Sequence, residues 1–223
     1  MSNSNNLYLD NKNIDTVLVL DFGSQYTQLI ARRIRELNVF SVILPWDVSA
    51  EKIKSLNPRG VILSGGPESV TESNTPRIPK IIFELDVPVL GICYGMQTLA
   101  EQFGGQVSSS KNKEFGHAQI LLENRSLLFD GFSSGSSIDV WMSHGDHVTT
   151  LPDEFNLLAS TKSAPIAAME HVNKPIYALQ FHPEVTHTQQ GNTVLENFTF
   201  KICKCEAQWR MENLIEQRIN EIK

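Results

Sequence analysis

The chain has 223 residues, of which 41% are hydrophobic and 20% are charged, and its formal net charge is −6. This length suffices for one large α/β domain or two small ones, and the composition is ordinary for a globular protein. The negative charge disfavours nucleic acid and membrane surfaces as partners, because both attract clustered lysine and arginine. The sequence contains no run of 18 apolar residues, so it predicts no membrane span.

The first 15 residues have neither the apolar core nor the basic flank of a targeting signal. We therefore interpret residues 1–15 as a disordered polar tail. The chain has three cysteines, at positions 93, 203 and 205. An odd and sparse set of cysteines without a secretory signal is typical of free thiols, so we expect a cytoplasmic protein.

Short apolar runs alternate with helical patterns in the first half of the chain. Predicted strands cover residues 16–22, 39–44, 60–63 and 87–92. Predicted helices cover residues 25–37, 50–56, 76–85 and 96–103, and Ser24 is a suitable N-cap for the first of them. Repeated βα units predict an α/β fold: a three-layer, doubly wound, mostly parallel sheet.

From about residue 106 the pattern changes to short β-like runs separated by turn residues. These runs cover residues 118–122, 137–142, 155–160, 166–170 and 176–181. They predict an antiparallel extension at one edge of the parallel sheet. A helix over residues 192–204 is predicted to follow.

The segment GICYG at residues 91–95 carries the candidate nucleophile, Cys93. It lies where a buried strand meets a helix, and glycines on both sides permit the sharp turn of a nucleophile elbow. The unsatisfied N–H groups at the helix start favour thiolate over thiol. The alternative is a buried and inert cysteine, which is common in protein cores.

His182 is the candidate general base and acid, and Glu184 is its candidate orienting group. The two residues follow the predicted strand 176–181, and Pro183 between them disfavours a helix, so both side chains point to one side. Nucleophile, base and orienting carboxylate would then form a triad. An isolated histidine is more often a surface or core residue. A zinc site with His187 is rejected, because the spacing is not H-E-x-x-H.

The segment SGGP at residues 64–67 follows the third predicted strand, at the sheet edge where α/β proteins bind ligands. Its glycines let the backbone approach a substrate carbonyl, so the N–H groups of Gly66 and Tyr94 are candidates for an oxyanion hole. The alternative is a simple turn. A phosphate-binding loop is disfavoured, because Pro67 lacks an N–H and Glu68 would repel phosphate.

Together these motifs resemble those of the class I (triad) glutamine amidotransferases. The segments that carry the resemblance are GICYGMQ at 91–97, SGGP at 64–67 and FHPE at 181–184. A narrower resemblance, over about residues 16–210, is to the N-terminal glutaminase domains of glutamine-hydrolysing GMP synthases. Its segments are DFGSQYTQ at 21–28, SGGPES at 64–69, EFG at 114–116, VWMSHGD at 140–146, QFHPEVTHT at 180–188 and CKCEAQW at 203–209.

The resemblance implies a flavodoxin-like fold, a triad of Cys93, His182 and Glu184, and hydrolysis of L-glutamine to glutamate and ammonia through a γ-glutamyl thioester. It also implies a glutamine pocket lined by polar side chains: Gln97, Ser143, His144 and Asp146. The carboxylate of Asp146 suits the α-ammonium of glutamine. From the residues alone, a polar turn between strands is the favoured interpretation of residues 143–146.

The resemblance implies that residues 16–206 form the glutaminase domain and that residues 207–223 are a linker helix toward an ATP-pyrophosphatase (synthetase) domain absent from this chain. That partner would use ATP and Mg²⁺ to convert XMP to GMP in purine biosynthesis, whereas this domain would need no cofactor and no metal. The apolar residues of the linker helix favour an excised domain over a separate subunit. The alternative is that this helix packs on the same domain.

Other functions stay open. The chain could be the glutaminase subunit of another synthetase, or a γ-glutamyl hydrolase on the same fold. A different class is a glutamine-binding regulatory domain without activity. Retention of Cys93, His182 and Glu184 argues against that last possibility, since a protein without activity could lose any of them.

Overall fold

The structure is a computed structural model that describes residues 14–209, and of residues 110–113 only the backbone. The predicted tail of residues 1–15 lies almost wholly outside the described residues. Most of the predicted linker helix lies outside them as well, and its residues 207–209, which are described, are not helical.

The described residues form nine strands in one mixed sheet. The strands are β1 Thr16–Asp21, β2 Phe40–Pro45, β3 Gly60–Leu63, β4 Val89–Ile92, β5 Gln106–Leu122, β6 Ser137–Thr150, β7 Phe155–Ser160, β8 Ala168–His171 and β9 Ile176–Leu179. Their order across the sheet is β2-β1-β3-β4-β9-β8-β7-β5-β6. In this order, the first five strands, from β2 to β9, pair in parallel with their neighbours. The pairs in the remainder of the sheet, from β9 across to β6, are antiparallel. The predicted parallel sheet with an antiparallel extension is thus confirmed.

The α-helices follow the strands of the parallel part of the sheet, β1 to β4 and β9. They are α1 Thr27–Glu36, α2 Ala50–Leu56, α3 Ile81–Glu84, α4 Tyr94–Gln102 and α5 Gly191–Glu196, which a π-helical segment, Asn197–Ile202, continues. The predicted helix over 76–85 is wrong in its first half. Pro79 disfavours helical backbone at Ile78, and the Ile78 N–H instead donates to Gln102 Oε1 at 2.9 Å.

The start of α1 also differs from the prediction, because polar side chains hold the preceding loop. Asp21 Oδ1 accepts hydrogen bonds from the Gly23 N–H at 2.8 Å and from the Thr27 hydroxyl at 2.7 Å. Ser24 Oγ accepts from the Tyr26 N–H, two residues away, so Ser24 is not the N-cap of a helix. The helix therefore begins at Thr27.

Two hydrophobic cores cover the two faces of the sheet. On β1, Val17 and Val19 enter one core together with α1, whereas Leu18 and Leu20 enter the other together with Ile53 of α2. The segment from α5 through the π-helical turn completes the first core, and α3 and α4 complete the second. Burial on both faces explains why the parallel strands are continuous apolar runs.

The antiparallel extension consists of longer strands than the sequence predicts. The runs predicted at 118–122 and 137–142 are parts of β5 and β6, which have 17 and 14 residues. Residues 143–146 are therefore not a polar turn. They continue β6 with alternating buried and half-buried side chains, and they pair with β5 across the sheet.

The parallel part of the sheet brings several loops to one edge. The loop of residues 64–66 follows β3, Cys93 follows β4, and the segment that contains His182 follows β9. Because β3, β4 and β9 are parallel neighbours, all three loops leave the sheet at its carboxyl edge. None of the helices within residues 14–209 is long and apolar enough to span a bilayer.

We expect Gly95→Ala to destabilise the junction between α4 and β3. A Cβ at position 95 would lie 2.5 Å from the carbonyl oxygen of Leu63 and 2.8 Å from its Cβ, so the helix must shift. The expected loss is about 1–3 kcal/mol in the free energy of unfolding, measured by urea denaturation. Lys80→Ala, at an exposed position, is the control and should change stability by less than about 0.5 kcal/mol. Equal effects of the two substitutions would contradict the packing seen here.

Candidate active site

Cys93 occupies a strained turn between β4 and α4. Its backbone has φ 54° and ψ −105°, a region that residues other than glycine rarely adopt and that often marks a functional site. Its N–H donates to the carbonyl oxygen of Leu179 in β9 at 2.7 Å, which fixes the turn to the neighbouring strand. The residue is buried, with 5% of its surface exposed. This is the conformation that the G-x-C-x-G pattern predicts.

His182 and Glu184 form the pair that the sequence predicts. His182 Nδ1 lies 2.7 Å from Glu184 Oε1, and the two residues are 3% and 1% exposed. Burial by itself lowers the pKa of His182. The opposing charge of Glu184, together with interactions with the Cys93 side chain, outweighs burial and raises the pKa well above 6.5. The imidazole is thus held in its protonated form at neutral pH.

Two further side chains hold the backbone of this pair in place. Arg33 of α1 donates from Nε to the carbonyl oxygen of Glu184 at 3.0 Å. The hydroxyl of Thr188 donates to the carbonyl oxygen of His182 at 2.6 Å and accepts from the N–H of Trp141 at 3.0 Å. The turn of residues 182–184 is therefore fixed from both α1 and β6.

The two candidate oxyanion donors, Gly66 and Tyr94, pack against each other next to the Cys93 turn. Gly66 packs so closely that a Cβ there would lie 2.7 Å from the Phe22 carbonyl oxygen and 3.2 Å from the ring of Tyr94. Tyr94 directs its side chain away, since its hydroxyl donates to the Pro76 carbonyl oxygen at 2.7 Å. Only its backbone N–H, at the first position of α4, is available for an oxyanion.

A cavity of about 600 Å³ opens above Cys93. The predicted site residues that line it are Gly66, Cys93, Gln97, Ser143, His144, Asp146 and His182. Glu184 lies behind the imidazole and Tyr94 behind the turn, so neither belongs to the lining. The structure thus brings together every residue that the sequence singles out for the site.

The polar wall of the cavity is built by β6 and α4. Gln97 Nε2 donates to the carbonyl oxygen of Asp146 at 2.7 Å, which ties the helix to the strand. Asp146 Oδ2 is buried and has no hydrogen-bond partner among the described residues. Asp146 lines the cavity, and an unpaired carboxylate oxygen on such a residue is suited to a cationic ligand group.

His144 is neutral at physiological pH. Burial, reinforced by the nearby His147, lowers its pKa to about 4. Its Nε2 lies 3.1 Å from Glu114 Oε2, but without the alignment of a hydrogen bond. This contact is therefore not an ion pair at neutral pH. Burial also raises the pKa of Glu114, for which the sequence indicated no role.

Among the residues that contact the site, the sequence also missed Tyr26, Gln180 and Thr188. Tyr26 packs the edge of its ring against His182, with centroids 5.2 Å apart, and Gln180 places its amide next to the sulfur of Cys93. Thr188 holds the His182 carbonyl, as described above. All three lie within the segments that resemble the amidotransferases, but only the folded chain shows what their side chains contact.

Residues 18–202 match the family model of the class-I glutamine amidotransferases. The glutamine-hydrolysing GMP synthase of Hamiltonella defensa subsp. Acyrthosiphon pisum is 55% identical over 95% of this chain and 42% of that protein. That of Haemophilus influenzae is 52% identical over 93% of this chain and 40% of that protein. The chain thus spans about two fifths of the length of these relatives.

Two solved structures with similar folds support the match to the amidotransferase family. A Thermoplasma acidophilum protein described as a GMP synthase subunit is 33% identical, with a TM-score of 0.76 over 93% of this chain and 98% of that one. A glutamine amidotransferase of Thermotoga maritima shares the fold, with a TM-score of 0.61, 20% identity and 92% coverage of both chains. From the family match and the identity to these relatives, the chain belongs to the class-I glutamine amidotransferase family.

Proposed function

We propose that this domain hydrolyses L-glutamine with Cys93 as nucleophile, His182 as general acid and base, and Glu184 as the orienting carboxylate. The observation that carries the proposal is the strained cysteine at the floor of the cavity, next to a buried imidazole paired with a carboxylate. Family membership supports the same chemistry.

Glutamine would enter with its carboxamide toward Cys93 and its α-ammonium toward Asp146. Gln97 and Ser143 supply further polar contacts on the same wall, and the neutral His144 adds an uncharged polar ring. The negative charge of Asp146, whose free oxygen has no hydrogen-bond partner in the described part of the chain, favours a substrate that carries an ammonium group.

The reaction would proceed in two steps. The sulfur attacks the carboxamide carbon, the N–H groups of Gly66 and Tyr94 stabilise the oxyanion, and the C–N bond breaks as His182 gives its proton to the departing ammonia. A γ-glutamyl thioester remains on Cys93. His182, now neutral, removes a proton from water, and the resulting hydroxide displaces the sulfur to release glutamate.

We further propose that the ammonia serves a GMP synthetase. The relatives that match over most of this chain are named glutamine-hydrolysing GMP synthases and are more than twice its length. A synthetase domain, in the same chain or as a separate subunit, would use ATP and Mg²⁺ to activate XMP, and ammonia would displace AMP to give GMP. We place the protein in the cytoplasm, where these nucleotides are found.

The test of this assignment is ammonia release from glutamine by the domain alone and with a GMP synthetase domain, ATP, Mg²⁺ and XMP. We expect slow release by the domain alone and stimulation by the complete set. Fast hydrolysis of γ-glutamyl peptides would instead indicate a hydrolase. A lack of turnover in every mixture would indicate a domain that only binds glutamine.

We expect Cys93→Ala to lower glutamine hydrolysis by more than about 10⁴-fold, because the reaction loses its covalent intermediate. Cys205→Ser is the matched control, since it removes another thiol of the chain and should leave turnover nearly unchanged. A glutamine-like alkylating agent should label Cys93, as detected by mass spectrometry. Label found on Cys203 or Cys205 alone would overturn the assignment of the nucleophile.

We expect Glu184→Gln to reduce kcat by about 10²–10⁴-fold. The substitution removes the negative charge that orients the imidazole of His182 and favours its protonated form. The same substitution also changes how the stability of the fold depends on pH. The pKa of His182 is higher in the folded than in the unfolded chain, where it is about 6.5, so the pair stabilises the fold fully below that pH and loses this contribution as pH rises.

The difference in urea midpoint between wild type and Glu184→Gln should therefore shrink between pH 7 and pH 9. His144→Gln is the control. The pKa of His144 is lowered to about 4, so the group is neutral in both the folded and the unfolded chain above about pH 7. Its effect on stability should stay constant over that range. A constant effect of Glu184→Gln would contradict an ionised His182–Glu184 pair.

A further inference from the structure

Gln180 contacts the reacting sulfur but is not among the residues that line the cavity. It directly follows β9, is completely buried, and donates its own N–H to the carbonyl oxygen of Ala167 at 2.9 Å. Its side-chain Nε2 lies 3.9 Å from Cys93 Sγ, within the range of a hydrogen bond to sulfur. It does not line the cavity, so substrate binding does not explain its position.

The proton balance at the sulfur determines which way the amide points. The Cys93 thiol has a single proton, and the carbonyl oxygen of Ser143, 3.6 Å away, is the acceptor for it. A second contact to the sulfur must then be donated by the neighbour, which requires the NH₂ end of the Gln180 amide. When the thiol loses its proton, the contact with the Ser143 carbonyl becomes repulsive, whereas the contact with Gln180 becomes stronger.

The same orientation has a cost for stability. Gln180 Oε1 is buried and has no hydrogen-bond partner among the described residues. A buried acceptor without a partner destabilises a fold, and an apolar side chain of similar size would avoid this loss. Stability therefore does not explain why residue 180 is a glutamine. The contact of its amide with the Cys93 sulfur does explain it.

We propose that Gln180 is a further catalytic residue, whose amide stabilises the thiolate of Cys93 by donating a hydrogen bond to it. This role rests on the proposed function, since it matters only if Cys93 is the nucleophile. The side chain of His182 also interacts with that of Cys93, so Gln180 would be a second donor to the thiolate beside the imidazole. Gln180, two residues before His182, thus takes part directly in the proposed reaction.

Alkylation of Cys93 by iodoacetamide as a function of pH tests this role without glutamine turnover. The titratable groups that line the cavity beside Cys93 are Tyr26, Glu68, Glu72, His144, Asp146 and His182, and Glu184 is paired with His182. All of them are the same in wild type and in the variants, so a change in the profile reports on Gln180. Gln180→Met removes the donor and keeps the size, and Gln180→Asn keeps the amide but shortens its reach.

We expect both variants to raise the pH midpoint of alkylation by about one unit. Because a more basic thiolate is intrinsically more nucleophilic, the plateau at high pH should rise about threefold, while the rate well below the midpoint falls about threefold. In steady-state assays kcat should fall at neutral pH with little change in KM. The urea midpoint of Gln180→Met should be equal to or higher than that of wild type.

Thr199→Val is the matched control, because Thr199 is also completely buried and its hydroxyl also has no hydrogen-bond partner among the described residues. It should leave the alkylation profile of Cys93 unchanged. An unchanged profile in Gln180→Met and Gln180→Asn, or a rate lowered equally at every pH, would overturn the role of Gln180. A wild-type protein whose Cys93 is never alkylated would overturn the proposed function itself.

Discussion

The hydrogen bond between the Cys93 N–H and the Leu179 carbonyl is the contact on which the site depends. At 2.7 Å it extends the parallel pairing of β4 and β9 by one step beyond Ile92 and Leu179, which are register partners. The turn at Cys93 is thereby fixed to the strand that leads to His182. Residues 89 positions apart in the chain meet because two strands that are neighbours in the sheet end at the same edge.

Two buried charged groups near this contact differ in their partners: His182 is paired with a carboxylate, whereas Asp146 has an unpaired oxygen. His182 is protonated because Glu184 is paired with it, and the turn that holds both residues is tied to α1 by Arg33 and to β6 by Thr188. Asp146 lines the cavity and has a buried oxygen without a hydrogen-bond partner among the described residues. A site that keeps a cationic acid at its floor and a free carboxylate on its wall is suited to a zwitterionic amide substrate.

Stability and reactivity have opposite requirements at several of these positions. Cys93 adopts a strained backbone, Gly66 and Gly95 permit contacts that any side chain would obstruct, and Gln180 leaves a buried acceptor unpaired. The strained turn at Cys93 and the unpaired acceptor of Gln180 each cost stability in the free protein. They cluster at the carboxyl edge of the sheet, and the two hydrophobic cores on either face supply the burial that offsets them.

By itself the sequence determined the α/β class, the parallel order of the first strands, and the elbow at Cys93, because these follow from local patterns of apolar residues and glycines. It also indicated His182 and Glu184 as members of one site, whereas Ser143, His144 and Asp146 were assigned to it only through the resemblance to the amidotransferases, because the local pattern at 143–146 favoured a turn. Only the tertiary structure showed that this segment is part of β6, since strand length there depends on pairing with β5. The contacts of Tyr26, Thr188 and Gln180 were likewise decided by packing between distant segments, which no local pattern encodes.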